Sequence, residues 1–177
     1  MLERLNDDIY SYKVSNKDHL RLSSTSLFYL FVYLVCACAA FIFYPRKEAD
    51  FVIFIGIILL LVFTGPAFYL HYLYFMKSQH QELRLHDDFF ELFEEDVLKF
   101  KIQKKDIQNI HLFMSPTYIE SGIARGVPFM EYNYMEIKTS TDTIQINNLL
   151  YPDLKHLALN FFDITPIYHQ SYFANIE

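Results

Sequence analysis

The chain has 177 residues and a formal net charge of −6, and 53% of its residues are hydrophobic. The acidic excess lies from Lys77 onward, where nine basic residues face fifteen acidic ones. Nucleic-acid binding needs a concentrated basic surface, so this distribution excludes nucleic acid as a partner.

The N-terminal half is dominated by two apolar runs. Residues 1–21 carry equal numbers of acidic and basic side chains and are predicted to form an N-terminal cytoplasmic arm. The runs at 22–44 and 51–75 contain no Asp, Glu, Lys or Arg. Each exceeds the roughly 20 residues needed to cross a hydrocarbon core of about 30 Å. The sequence therefore predicts a transmembrane hairpin over 22–76 and makes the lipid bilayer an integral partner.

The orientation of the hairpin follows from the Lys and Arg residues near its ends. Four lie in the arm and two, Lys77 and Arg84, follow the second run, whereas the linker has only Arg46 and Lys47. This bias predicts that both termini and the C-terminal domain are cytoplasmic. The chain is expected to be a multi-pass membrane protein.

The polar atoms of the hairpin indicate no cofactor. Cys36 and Cys38 point in divergent directions on one helix, so they favour neither a local disulfide nor a metal site. His71 lies near the end of the second run, among tyrosines, where an interfacial histidine is a better interpretation than a proton relay or a haem ligand. We expect the hairpin to act as an anchor and a packing surface.

Residues 77–177 alternate polar and apolar side chains in short runs, which is typical of half-buried strands. Turn residues separate these runs, and Pro152 near the start of an apolar stripe predicts a helix over about 151–163. The tail beyond it is aromatic. The predicted strands are residues 81–86, 89–94, 97–102, 130–138 and 143–147, and residues 104–113 are predicted to form a short turn that leads into a further strand.

Two stretches carry a resemblance to a known family. The run Leu83 to Ile110 contains an acidic-Ile motif, Asp106-Ile107-Gln108-Asn109-Ile110, and Glu136 to Phe162 reads as a hairpin followed by a helix. Both resemble the bacterial pleckstrin-homology-like (PH-like) domains that follow a two-helix membrane hairpin. Lys105 stands where that family commonly has a tryptophan. The resemblance implies an α+β protein of the bacterial inner membrane, whose antiparallel β-barrel or sandwich is capped by a C-terminal helix.

No catalytic, metal-binding or cofactor-binding set emerges from the sequence. His86-Asp87-Asp88 is explained by a polar turn, because Asp is common in turns. There is no phosphate-cradling glycine loop, no His-Glu-x-x-His and no Cys-x-x-Cys. We therefore expect no enzyme activity, no cofactor and no small-molecule substrate.

Two groups of residues are candidates for binding. The loop from Ser115 to Phe129 is longer than a connection requires and too apolar for simple disorder. A second candidate is a small basic patch for an anionic ligand. The partner-binding candidates are Tyr118, Ile119, Ile123, Val127 and Phe129, and the patch candidates are Lys99, Lys101, Lys104 and Lys105.

The leading hypothesis is a non-enzymatic, membrane-anchored interaction module. It would serve as an accessory or scaffolding subunit, with other membrane proteins or a second copy of itself as partners. One alternative is a membrane immunity protein that binds a toxin, and another is a PH-like sensor of lipid surfaces.

Overall fold

The structure, a computed structural model, describes residues 2–6, 9–121, 127–171 and 173–174, and their side chains from Tyr10 onward except that of Ser121. The strands are β1 (Leu2–Asn6), β2 (Ile9–Lys13), β3 (Gln81–Leu85), β4 (Phe89–Glu94), β5 (Val97–Gln103), β6 (Asn109–Met114), β7 (Tyr134–Lys138), β8 (Thr143–Asn147) and β9 (Ile167–Gln170). The helices are α1 (Asn16–Phe43), α2 (Arg46–Ser78), α3 (Pro116–Ser121) and α4 (Leu154–His156), which continues as a π-helix, Leu157–Phe161. Short 3-10 helices cover Lys104–Asp106 and Pro128–Glu131.

The described strands form two sheets. One has the order β1-β2-β3-β4-β5 and the other the order β8-β7-β6-β9. All neighbouring strands are antiparallel except β6 and β9, which run parallel. Within the described ranges the sheets remain separate, so the fold is α+β without a closed barrel.

The main core lies between the inner faces of the two sheets and the C-terminal helix. Phe90 on β4 meets Phe162 edge to face, with ring centroids 5.4 Å apart. Asp153 begins the helix, because its Oδ1 accepts the His156 backbone N–H at 2.9 Å. The fully buried members of this core include Leu83, Phe90, Ile110, Leu112, Met135, Ile137, Ile146 and Leu157.

The two long helices are inserted between β2 and β3, which are neighbours in one sheet. The first begins at Asn16, where the Asp18 carboxylate accepts the Ser15 backbone N–H at 3.0 Å. The turn at Tyr44 and Pro45 then separates it from the second. Both helices are long and apolar enough to cross a membrane, and only 11% of the most apolar stretch of each is buried.

Several predicted elements differ from the structure. The arm predicted for 1–21 is occupied by β1, β2 and the first turn of α1; its mixed charge concealed the alternation of Tyr10 and Tyr12, which face the C-terminal helix. The predicted helix over 151–163 is shorter, because it starts after Pro152. The strand that opens at 130 instead starts at Tyr134, after a 3-10 turn. The aromatic tail contributes β9.

Candidate functional site at the base of the hairpin

A second core lies where the helices meet the domain. Its helix members, Leu22, Ala67, Leu70 and Tyr74, have at most 3% of their surface exposed. The domain contributes buried residues from the segment before β7, from β7 itself, from the turn after β8 and from the C-terminal tail. These are Tyr132, Tyr134, Leu149 and Ala174. The base of the hairpin is thus part of the folded domain.

A chain of hydrogen bonds joins both helices to the domain. His19 Nδ1 lies 3.0 Å from His71 Nε2, and His71 Nδ1 lies 3.0 Å from the hydroxyl of Tyr132. That hydroxyl is 3.5 Å from the carbonyl of Leu22, to which it donates. The arrangement is satisfied when both imidazoles are neutral, with His19 donating to His71 and His71 donating to Tyr132. His71 therefore connects α1, α2 and the domain.

Asn147 makes a second connection, at the end of β8. Its side-chain nitrogen donates to Ser78 Oγ at 2.6 Å and to the Tyr74 carbonyl at 3.3 Å. Its side-chain oxygen accepts the backbone N–H groups of Leu149 and Leu150 at 3.2 and 3.0 Å. The Asn147 residue is 3% exposed, and both the oxygen and the nitrogen of its side chain form hydrogen bonds, as expected for a buried polar group.

Charged residues complete the contact on the side of α1. Arg21 Nη2 donates to the carbonyl of Asn148 at 2.5 Å, and Thr25 Oγ1 donates to Glu131 Oε1. Burial raises the pKa of Glu131, and the opposing effects of the Thr25 hydrogen bond and the Arg21 charge do not fully offset it. A partly buried carboxylate thus lies beside α1.

Aromatic side chains surround the base of the hairpin on its exposed side. Phe173 is 40% exposed and stacks nearly parallel to Tyr69 of α2, with ring centroids 6.3 Å apart. Phe129 is half-buried, and its ring centroid is also 6.3 Å from that of Phe173. Tyr69 and Tyr72 are 52% and 58% exposed. We name Tyr69, Tyr72, Phe129 and Phe173 the aromatic rim.

The structure separates the residues that were predicted to bind a partner. Tyr118 and Ile119 lie in α3 and pack against the main core, whereas Phe129 packs against the base of the hairpin. Val127 is half-buried just before the 3-10 helix that carries Phe129. Ile123 lies outside the described residues.

Three of the four lysines predicted to form an anionic-ligand patch contact different neighbours. Lys99 pairs with Glu94 at 3.4 Å, and Lys101 pairs with Glu91 at 3.1 Å. Lys104 lies over the ring of Phe161 at 3.8 Å, and Lys105 is exposed on the following 3-10 turn. The carboxylates of β4 therefore offset two of the four charges.

Several residues of the site were missed by the sequence interpretation. Tyr132 was treated as one of the alternating residues of a strand, but it lies before β7 and bonds to His71. Ala174 accepts a hydrogen bond from the Tyr74 hydroxyl at 2.8 Å. The aromatic character of the tail is the sequence signal that points to Phe173. Among the described residues, no three His, Cys, Asp or Glu side chains are arranged to hold a metal ion.

Comparison with known proteins assigns the fold to a family. A family model described as a PH domain matches residues 11–158, which is more than half of the chain. The chain belongs to the PH domain family. The matched range of this PH domain contains the whole helical hairpin, and PH domains are generally non-catalytic.

Other comparisons add little to this assignment. No curated protein matches the chain. Among solved structures, it is similar to a chain in the structure of the Spt16D Pob3N heterodimer, with 14% identity and a TM-score of 0.34. That likeness covers 51% of this chain and 46% of the other chain, so this chain spans less than half the length of the solved one.

Proposed function

We propose that this PH domain protein is a membrane-anchored interaction module without catalytic activity. Its hairpin crosses the bilayer, and its PH domain binds other membrane proteins at the surface. It acts as an accessory or scaffolding subunit of a complex in the bacterial inner membrane. The observation that carries the proposal is a long apolar hairpin inserted into, and bonded to, a binding fold.

Exposure of the hairpin supports the membrane anchor. Large apolar side chains point away from the described protein along most of both helices, and such a surface in water would be strongly unfavourable. The hydrocarbon core of a bilayer would surround these side chains and remove the free-energy cost of exposing them to water. The most exposed examples are Phe28, Phe31, Phe41, Ile42, Phe43, Phe51 and Leu61.

The position of the hairpin in the fold supports a topology with both ends on one side. The helices leave the domain after β2 and return to it before β3, and Lys13 and Glu82 are register partners in those strands. A chain that leaves and re-enters one sheet has to cross the bilayer an even number of times. The Lys and Arg bias then favours the cytoplasmic side for the domain.

The fold supports binding as the activity. PH domains are generally non-catalytic, and the described residues hold no metal-binding cluster. The histidines and the buried carboxylate of the site are engaged in bonds between the helices and the domain. The site therefore holds the anchor and the domain together.

Cysteine labelling tests the topology. In a Cys36→Ser, Cys38→Ser background, Lys47→Cys places a thiol at the hairpin tip, and Ser140→Cys places one in the exposed turn between β7 and β8. We expect a membrane-impermeant maleimide to label Lys47→Cys in intact spheroplasts and Ser140→Cys only in inverted vesicles. Labelling of both from the same side would contradict a spanning hairpin.

The size of the assembly tests the interaction role. The chain alone has a mass of 21.1 kDa. We expect the native protein, extracted with its surrounding lipid by a styrene–maleic acid copolymer, to run as a defined larger complex whose subunits mass spectrometry identifies. A single chain with lipid only, at native expression, would contradict the subunit role.

A further inference from the structure

The hairpin is longer than a bilayer core, and this excess fixes where the domain lies. The 33 residues of α2 span about 50 Å at 1.5 Å per residue, whereas the hydrocarbon core is about 30 Å thick. Part of α2 therefore has to lie outside the core. Which part lies outside depends on the depth of the hairpin tip.

Charged residues set that depth. Arg46, Lys47, Glu48 and Asp50 are all exposed at the tip, and charged side chains avoid the hydrocarbon. The core on α2 accordingly begins near Phe51, and about 20 residues from there reach Leu70. Counting about 20 residues back from Tyr44 along α1 reaches Thr25.

Both counts end where the helices touch the domain. Leu70 is fully buried in the second core, and Thr25 donates its hydroxyl hydrogen bond to Glu131. The contact between helices and domain is therefore level with the edge of the hydrocarbon. The domain rests against the bilayer surface.

The aromatic rim lies at this same level. Tyr69 is next to Leu70 in sequence, Phe173 stacks on Tyr69, and Phe129 is close to Phe173. Tyrosine and other amphipathic rings are favoured at the boundary between headgroups and acyl chains.

We propose that the aromatic rim is a lipid-binding surface, which seats the PH domain in the headgroup zone of the membrane that the hairpin crosses. This inference rests on the proposed membrane anchor and adds a second contact to it. The domain is held to the bilayer by its own surface as well as by the helices. Its orientation to the membrane is fixed, and the face opposite the rim is presented to partners.

Single-tryptophan fluorescence tests the proposal, because the chain contains no tryptophan. The probe is Phe173→Trp in the full chain, reconstituted in phosphatidylcholine vesicles. The vesicles carry bromine either near the headgroup or near the methyl end of the acyl chain. Leu61→Trp, at a position 64% exposed on the hairpin, reports on spanning. Ser140→Trp, in the turn farthest from the base along β7 and β8, is the matched control on the domain.

We expect the shallow bromines to reduce the emission of Phe173→Trp about twofold, as for a ring at the interface, and the deep bromines to reduce it less. Leu61→Trp should show the reverse order, and Ser140→Trp should be quenched by neither. If Leu61→Trp is quenched and Phe173→Trp behaves like Ser140→Trp, the lipid-binding surface is wrong and the anchor stands. Absence of quenching at Leu61→Trp would overturn both.

Phe129→Trp provides a second reading within the same rim. Its half-buried ring should be quenched less strongly than that of Phe173→Trp, but again more by the shallow bromines. If Phe173→Trp does not fold, as circular dichroism would show, Phe129→Trp decides the question by itself. Quenching of Phe129→Trp at the level of Ser140→Trp would then overturn the proposal.

Discussion

Glu82 shows how one buried carboxylate connects strands of the first sheet. It is 4% exposed, and it accepts hydrogen bonds from Ser11 at 2.7 Å and Arg84 at 2.6 Å. Lys13 Nζ lies 2.8 Å from its other oxygen. Burial alone would raise the pKa of Glu82, but the bonds from Arg84, Lys13 and Ser11 outweigh it and lower the pKa from 4.5 to about 2.

This pKa predicts a loss of stability in acid. The pKa of Glu82 is lower in the folded state than in the unfolded state. The contribution of Glu82 to the free energy of unfolding is therefore complete above pH 4.5 and is lost as the pH falls towards 2. At about 1.4 kcal/mol per unit, it amounts to about 3 kcal/mol. We expect Glu82→Gln to lower the free energy of unfolding by about 1–3 kcal/mol at neutral pH and to flatten its dependence on pH in that window.

Denaturant titrations of the detergent-solubilised chain at a series of pH values, followed by circular dichroism, measure this effect. Glu94→Gln is the matched control, because Glu94 pairs with Lys99 but its side chain is 48% exposed. Exposed ion pairs contribute about 0–1 kcal/mol. Equal effects of the two substitutions would contradict the role given to Glu82.

Asn147 is the residue whose loss should loosen the base of the hairpin most directly. Truncation to alanine leaves the buried backbone N–H of Leu149 without its side-chain acceptor and removes the bond to Ser78. We expect Asn147→Ala to lower the free energy of unfolding by about 2–4 kcal/mol. Asn160→Ala, at an exposed position, is the control and should change the free energy of unfolding little. Similar losses for Asn147→Ala and Asn160→Ala would show that the hydrogen bonds of Asn147 do not stabilise the fold.

At the scale of elements, the strand periodicity of the C-terminal half was sufficient to predict β3, β4, β5 and β8 closely. The alternation of apolar with polar side chains specifies these strands, even β5, in which no residue is buried. β1 and β2 lie outside the predicted strands because β2 pairs with β3 across the inserted hairpin, and β1 in turn pairs with β2. The strand β3 is so distant in sequence from β2 that this pairing leaves no local signal.

Only part of the site at the base of the hairpin could be predicted from the sequence, again because the contacting residues are far apart along the chain. His71 was visible as the one histidine of the second apolar run, but its partners His19 and Tyr132 lie 52 and 61 positions away. The apolar runs also concealed where the helices begin to pack against the domain. Leu70 and Tyr74 have the same hydropathy character as lipid-facing residues, and only the fold shows that they pack against the domain.

The packing of α1 on α2 depends on Gly56. A Cβ atom at this position would lie 2.6 Å from Cε2 and 2.9 Å from Cδ2 of Tyr33, closer than real contacts allow. Small residues let helices approach in this way in membranes. We expect Gly56→Ala to displace the Tyr33 ring and to destabilise the hairpin by about 1–3 kcal/mol.

A double-mutant cycle with Tyr33→Ala measures that contact. Removal of the ring should make Gly56→Ala nearly neutral, so the two effects should be strongly non-additive in unfolding titrations with sodium dodecyl sulfate. Gly65→Ala is the control, because a Cβ there meets nothing within 4 Å. Additive effects of Tyr33→Ala and Gly56→Ala would mean that the helices do not meet at this contact.

At the scale of the whole molecule, the hairpin has two parts with different roles. Its base carries the second core, and its outer part exposes apolar side chains to the surroundings. Removal of the entire hairpin would uncover Tyr132, Tyr134 and Leu149, so a soluble domain should require that the base be retained. The boundary follows from the residues that pack, since Ser26 on α1 and Thr64 on α2 are the last buried positions before the exposed region.

A trimmed chain tests this division. Replacement of residues 27–63 by a short Gly-Ser turn keeps the base helices with the bonds of His19, His71 and Asn147, and removes the exposed apolar surface. We expect carbonate to release this chain from the membrane pellet, since the aromatic rim alone makes a peripheral contact. The released chain should melt cooperatively without detergent, because the core it needs is intact. A matched deletion of residues 15–79 should aggregate, since it exposes the second core. If the trimmed chain still sediments with membranes after carbonate extraction, then the domain and not the hairpin supplies the stronger attachment.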